Sequence, residues 1–192
     1  MKSGLRLLSI PALALALMAG VPPVPAQAQL RVEVSGVGSN QIPIAIAGFS
    51  NEDLSPQQIS QIIRDDLARS GYFRLIDAGT VLSETAPLNF EEWKRKGAEA
   101  LVVGSVQKLA DGRFDVRYKL FDTTKAAMLS GFALPTLPTS TRVSAHKIAD
   151  DVYEKLIGVR GAFATRIAYV TKSGGEYRLV VSDADEIGRA HV

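Results

Sequence analysis

The stretch Ala100-Leu101-Val102-Val103-Gly104-Ser105-Val106, then Asp111-Gly112, then Phe114-Asp115-Val116-Arg117-Tyr118-Lys119-Leu120, decides how this chain folds. Its first part is a continuous apolar run and reads as a strand. Asp-Gly is a strong hairpin dipeptide. The return segment has clean period two. Phe114, Val116, Tyr118 and Leu120 point one way, and Asp115, Arg117 and Lys119 the other. The pair is therefore an antiparallel β-hairpin with one apolar face.

Working outward, residues 128–134 predict a third antiparallel strand, ended by Pro135 and Pro138. Residues 142–157 predict a long helix with Ala145, Ile148, Ala149, Val152 and Leu156 as its buried stripe. Lys147, Asp151 and Lys155 stand four apart on its exposed side and can pair weakly. Upstream, Ile42, Ile44 and Ile46 alternate in a buried strand, with the small Ala45 and Ala47 on the other face. Residues 54–71 predict another helix, capped by Ser55, with Pro56 in its first turn and Gly71 as its stop. Ile59, Ile62, Ile63 and Leu67 share one face. A strand over residues 72–76 and a short helix over 89–97, carrying Trp93, complete the set. Strand-like alternation also occurs in residues 29–37, broken by turn-prone residues up to Asn40. The predicted fold class is α/β: a mixed β-sheet with two main helices packed on one of its faces.

After Gly158 the character changes. Residues 166–172 and 177–182 are strand-like, and Ser173-Gly174-Gly175 turns between them. A lone hairpin is marginal without a third strand. The expected organisation is a folded core over residues 42–158, with 159–185 as a linker and the start of something further.

The chain has 192 residues, enough for one domain with a substantial core. Its formal charge of +2 comes from 22 Lys+Arg against 20 Asp+Glu. Lys2 and Arg6 lie in an N-terminal leader, so the remainder carries 20 of each. That balance lacks the electrostatic footprint of nucleic-acid binding. With no cysteine, disulfides, thiolate metal sites, cysteine catalysis and a lipidated cysteine are excluded. Residues 1–28 read as a secretory signal peptide: a positive start, an apolar run from Leu7 to Ala19, then Ala26-Gln27-Ala28. Cleavage is predicted after Ala28, with Ala26 and Ala28 as the recognised small residues. The apolar run is shorter than a span and holds Pro11, so direct membrane insertion is not expected.

No catalytic, cofactor-binding or metal-binding residues are predicted. His146 lies beside the apolar stripe of its helix and reads as a packing or surface residue. His191 stands in the terminal tail. Asp150-Asp151 reads as a solvated helix face, because adjacent helical carboxylates diverge. Asp183-x-Asp185 lacks the further ligands of a calcium loop. Gly36-x-Gly38 opens no helix and has no third glycine, which leaves no nucleotide motif.

One segment carries a specific resemblance. Glu154-Lys155-Leu156-Ile157-Gly158, then Gly161-Ala162-Phe163-Ala164-Thr165-Arg166-Ile167-Ala168-Tyr169-Val170, resembles the junction between the N-terminal domain and the β-propeller in the TolB family of the Tol-Pal envelope system. Tyr177-Arg178-Leu179-Val180-Val181-Ser182-Asp183-Ala184-Asp185 resembles the next strand of the first blade. The resemblance covers residues 29–185. It implies an N-terminal domain with an anticodon-binding-like fold, followed by the first strands of an incomplete β-propeller. It also implies a periplasmic interaction protein, monomeric and not an enzyme, that supports outer-membrane integrity and constriction during division. By position, residues 29–41 would be the partner-binding segment. Gln29, Leu30, Arg31, Val32, Glu33, Val34, Ser35, Gly36, Val37 and Gly38 would meet a TolA-like inner-membrane protein. A Pal-like lipoprotein would be met only by the missing propeller.

The family pattern would continue with Gly after Asp185. Residues 186–192 instead end in Ile-Gly-Arg-Ala-His-Val, one reading frame of a sequencing-library adapter, and are expected to be an artefact. Two other readings compete. One is the N-terminal part of a periplasmic propeller hydrolase or sugar-binding protein. The other is a periplasmic RNA-binding domain, disfavoured by the charge balance.

Overall fold

The structure is a computed structural model and describes residues 40–185. The signal peptide with Ala26 and Ala28, the partner segment 29–38 with its predicted strand, and the tail 186–192 lie outside the described residues.

Strands β1 (Ile42–Ile46), β2 (Phe73–Ile76), β3 (Ala100–Lys108), β4 (Phe114–Asp122) and β5 (Ala127–Thr136) form one sheet in the order β2-β1-β3-β4-β5. β1 runs parallel to both β2 and β3, while β3, β4 and β5 form an antiparallel meander. The sheet is therefore mixed, as the sequence predicts. The helices are α1 (Ile59–Ser70), α2 (Phe90–Arg95) and α3 (Thr141–Ile157). A separate hairpin pairs β6 (Arg166–Ser173) with β7 (Glu176–Asp183).

The main core lies between the sheet and the α1–α3 layer. Ile44 and Ile46 of β1, Val102 of β3, and Val116 and Leu120 of β4 meet Ile59, Ile63 and Leu67 of α1 there. Ala145, Ile148, Ala149 and Val152 of α3 close the same core, and Leu156 packs at its edge. The predicted stripes of both helices are thus the buried ones. A second cluster lies on the opposite face, where Trp93 of α2, Ala78 and Ala98 pack on Ala45, Ala47, Leu101 and Val103. The two main helices, α1 and α3, share one face as expected, and the short α2 lies on the other. Ala45 and Ala47 are small because another layer rests on them. The uninterrupted apolarity of β3 reflects burial from both sides.

The start of α1 also departs from expectation. It begins at Ile59, and neither Ser55 nor Pro56 lies in it. A short 3-10 turn (Glu52–Leu54) intervenes. The Glu52 carboxylate accepts from the Ser60 backbone N–H at 2.9 Å and from the Ser60 hydroxyl at 2.7 Å. It supplies from outside the helix the cap that Ser55 was expected to give. Gly71 and Gly158 do end their helices as predicted, at φ 77° and 82°, a conformation that favours glycine. The β3–β4 connection is longer than a two-residue turn. Leu109 N–H donates to Arg113 O at 2.8 Å, and Gly112 N–H to Leu109 O at 3.0 Å.

In the β6–β7 hairpin the apolar side chains stay in solvent, with Val170 61%, Tyr177 69% and Leu179 73% exposed. Among the described residues no third strand joins this pair. No helix of the described residues is long and apolar enough to cross a membrane.

Candidate functional site

The chain enters the fold beside β2. Gln41 Nε2 donates to Gly71 O at 2.9 Å, and Ile42 N–H to Tyr72 O at 2.9 Å. Tyr72 is 41% exposed there and makes an edge contact with Tyr153 of α3, ring centres 5.7 Å apart. Tyr153 in turn meets Phe73 at 6.0 Å and Phe163 at 5.7 Å. Burial raises the Tyr153 phenol above its ordinary range, and Tyr72 adds to the shift. One aromatic cluster therefore connects the entry point, α3 and the segment leading to β6.

That leading segment, residues 158–165, is held from α3. Asp150 accepts the backbone N–H of Phe163 at 2.6 Å and that of Ala164 at 3.1 Å. Gly161 lies against the same aspartate, so close that a Cβ would stand 2.4 Å from Asp150 Oδ1. Asp151 accepts from the hydroxyl of Tyr118 in β4, and the Ser130 hydroxyl lies 3.3 Å from the same phenol oxygen. Burial pushes the Tyr118 phenol far above the ordinary tyrosine range, and hydrogen bonding to Asp151 pushes it the same way. The predicted solvated face at Asp150-Asp151 is corrected on both counts: one residue fastens the linker and the other ties α3 to the sheet. The Asp151 carboxylate faces Tyr118.

At the other end of the junction is a charge cluster. His146 is 1% exposed, and its Nδ1 lies 2.6 Å from Asp66 Oδ2. With Asp66 ionised, Nδ1 carries the hydrogen and donates it. The other Asp66 oxygen accepts from Arg69 at 2.5 Å. The second ring nitrogen, Nε2, faces Asp185 Oδ1 at 3.7 Å, and Arg142 holds the other Asp185 oxygen. Just beyond, Arg166 and Asp183 pair at 3.4 Å across the base of the hairpin.

His146 is thus a buried group with two ionic neighbours, not a surface or packing residue. Asp185 belongs to this cluster rather than acting with Asp183. Asp66, His146 and Asp185 stand close enough together to hold a metal ion, although both carboxylates already bind arginines. The arrangement can fix a geometry electrostatically. Sequence spacing gave one usable signal, since Arg142 and His146 are one turn apart on α3. Asp66 and Asp185 come from distant elements, and only the folded topology brings them in.

The model of the TolB amino-terminal domain family matches residues 30–129. The Tol-Pal system protein TolB of Bordetella avium (strain 197N) is 50% identical over 162 residues, covering 84% of this chain and 37% of that protein. The crystal structure of TolB from Acinetobacter baumannii superposes with a TM-score of 0.63 at 30% identity, over 77% of this chain and 37% of that one. The chain therefore spans little more than a third of the length of these relatives.

Proposed function

Because the chain belongs to the TolB amino-terminal domain family, we propose that it is the partner-binding head of a periplasmic Tol-Pal component. In this reading residues 29–38 bind a TolA-like inner-membrane protein. A Pal-like lipoprotein is met by a β-propeller whose first strands are β6 and β7. The assembly then supports outer-membrane integrity and constriction during division. The observation that carries the reading is the 50% identity to a Tol-Pal TolB across most of this chain.

The exposed apolar face of the β6–β7 hairpin supports the propeller assignment. Val170, Tyr177, Leu179 and Val181 are each more than half exposed, which is the condition of a blade lacking its other strands. The partner segment has suitable chemistry. Leu30, Val32 and Val34 alternate with Arg31, Glu33 and Ser35, the pattern of a strand that adds to an exposed sheet edge. The aromatic cluster offers a physical connection between the two activities. Tyr72 flanks the point where the N-terminal segment enters, and Phe163 flanks the departure toward β6.

Calorimetry tests the reading with two proteins, one beginning at Gln29 and one at Ile42, against a TolA-like domain and a Pal-like lipoprotein. The longer protein is expected to bind the TolA-like domain with modest affinity, because ordering a segment consumes part of the interaction energy. The shorter one loses that binding, and neither binds the lipoprotein. Equal TolA binding by both would overturn the segment assignment. Lipoprotein binding by either would overturn the propeller assignment.

A further inference from the structure

The junction contains a pair of buried atoms that the fold leaves unsatisfied. His146 Nε2 and Asp185 Oδ1 face each other at 3.7 Å, both shielded from solvent and neither with a hydrogen-bond partner among the described residues. Nδ1 of the same ring already gives its hydrogen to Asp66. In a neutral imidazole Nε2 is then an acceptor, so two lone pairs confront each other in a buried site. Burying polar atoms without partners is unfavourable. A single proton on Nε2 converts the confrontation into a donor and an acceptor, and less than an ångström of approach gives a charge-assisted hydrogen bond.

The surroundings fit such a bond. The charged groups facing the ring are Asp66 and Arg69 from α1, Arg142 from α3, and Asp185 just after β7. Each arginine occupies the outer oxygen of one carboxylate, which leaves the two inner oxygens to the imidazole. A metal ion fits less well. Asp66 Oδ2 is engaged with Nδ1 and Asp66 Oδ1 with Arg69. Only Nε2 and one Asp185 oxygen remain, fewer than the three protein ligands of a usual zinc site.

We propose that His146 is a proton-operated latch: when Nε2 takes up a proton it closes on Asp185 and fastens the β6–β7 hairpin to the α1–α3 layer. Asp66 is the positioning residue, since it fixes the ring so that Nε2 points at the hairpin. The latch joins three chain segments through one side chain. Its release removes one of two ties on Asp185, leaves the Arg142 pair in place, and does not disturb the main core, because Asp185 lies outside that core. The proposal is independent of the Tol-Pal reading, as every group in it belongs to this chain.

The test uses the full chain, with amide hydrogen exchange and imidazole nitrogen NMR measured between about pH 5 and pH 8, where histidine changes charge. The chain has two histidines, so a His191→Ala variant assigns the His146 signals. Lowering the pH is expected to protonate Nε2. Over the same range it slows exchange in β6 and β7 roughly tenfold after correction for the intrinsic rate, the scale of one hydrogen bond to a charged group. Asp185→Asn is expected to abolish that pH response while leaving β1 and β3 as protected as before. His146→Gln, read beside it, does the same if it folds. Hairpin exchange without pH dependence in the unaltered chain would overturn the latch. So would an undiminished response in Asp185→Asn. Stoichiometric zinc binding that moves the Nε2 signal of the metal-free protein would replace the proton with a cation.

Discussion

Glu52 caps Ser60 from outside the helix, its two carboxylate oxygens taking the backbone N–H at 2.9 Å and the hydroxyl at 2.7 Å. The nominal cap position, Gln58, makes no side-chain cap bond. Glu52→Ala is therefore expected to cost about 1–2 kcal/mol, the range for losing a helix cap. Gln58→Ser in that background should restore part of it, because a serine there can accept the freed N–H. Urea denaturation measures both. A Glu52→Ala midpoint equal to that of the unaltered protein would show that the carboxylate contributes nothing.

Phe49 crosses β3 at Gly104. A Cβ at residue 104 would stand 2.4 Å from the Phe49 ring and 2.5 Å from the Arg117 carbonyl. Gly104→Ala is expected to destabilise by about 3 kcal/mol, at the upper end for overpacking. Because Arg117 O is backbone, adding Phe49→Leu should not rescue it. Recovery of the denaturation midpoint in the double variant would mean that the ring alone is the obstacle.

Asp150→Ala removes the acceptor for two linker amides, Phe163 and Ala164. The expected loss is about 1–3 kcal/mol, since two half-buried amides lose bonds to a charged acceptor. Hydrogen exchange at Phe163 and Ala164 should accelerate more than exchange in β3. Gly161→Ala should give the same local signature from the opposite side, by displacing the carboxylate. Unchanged exchange at these two amides in both variants would remove Asp150 from the linker's support.

Tyr118 supplies a pH dependence at the alkaline end. Its ionisation is held well above the ordinary tyrosine range, by burial first and the Asp151 hydrogen bond second. A raised folded value means that the stabilisation is fully present below the unfolded tyrosine value of about 10 and is lost as pH rises beyond it. Stability should fall above about pH 10, less steeply in Tyr118→Phe. Absorbance of tyrosinate should show one phenol fewer titrating before the unfolding transition. A phenol at 118 that ionises freely in the folded protein would contradict this.

These features were unevenly legible in the sequence. β3 and β4 could be read because burial fixes both their apolarity and their period. α1 was misplaced at its start because its cap acts from a carboxylate several residues upstream, through a turn that periodicity does not register. The layer over Ala45 and Ala47 was missed because small residues on a strand face signal close packing only when the covering segment is known. His146 looked ordinary because its partners, Asp66 and Asp185, stand in α1 and after β7. The partner segment 29–38 was read from family resemblance; alternation alone gives a strand and names no partner.

β1 has a further consequence, for the order in which the protein assembles. It is the second strand of the sheet in space and the first among the described residues, flanked by β2 and β3. Its helix α1 is covered by α3, and the Asp66–His146 contact between those helices closes 80 residues of chain. The β3–β4–β5 meander pairs near neighbours and can zip in microseconds. β1 and α1 must wait for segments made long after them, and long closures are entropically slow. During chain emergence the apolar stripes of β1 and α1 stand uncovered until α3 arrives, which makes this first third of the core the part a chaperone would hold.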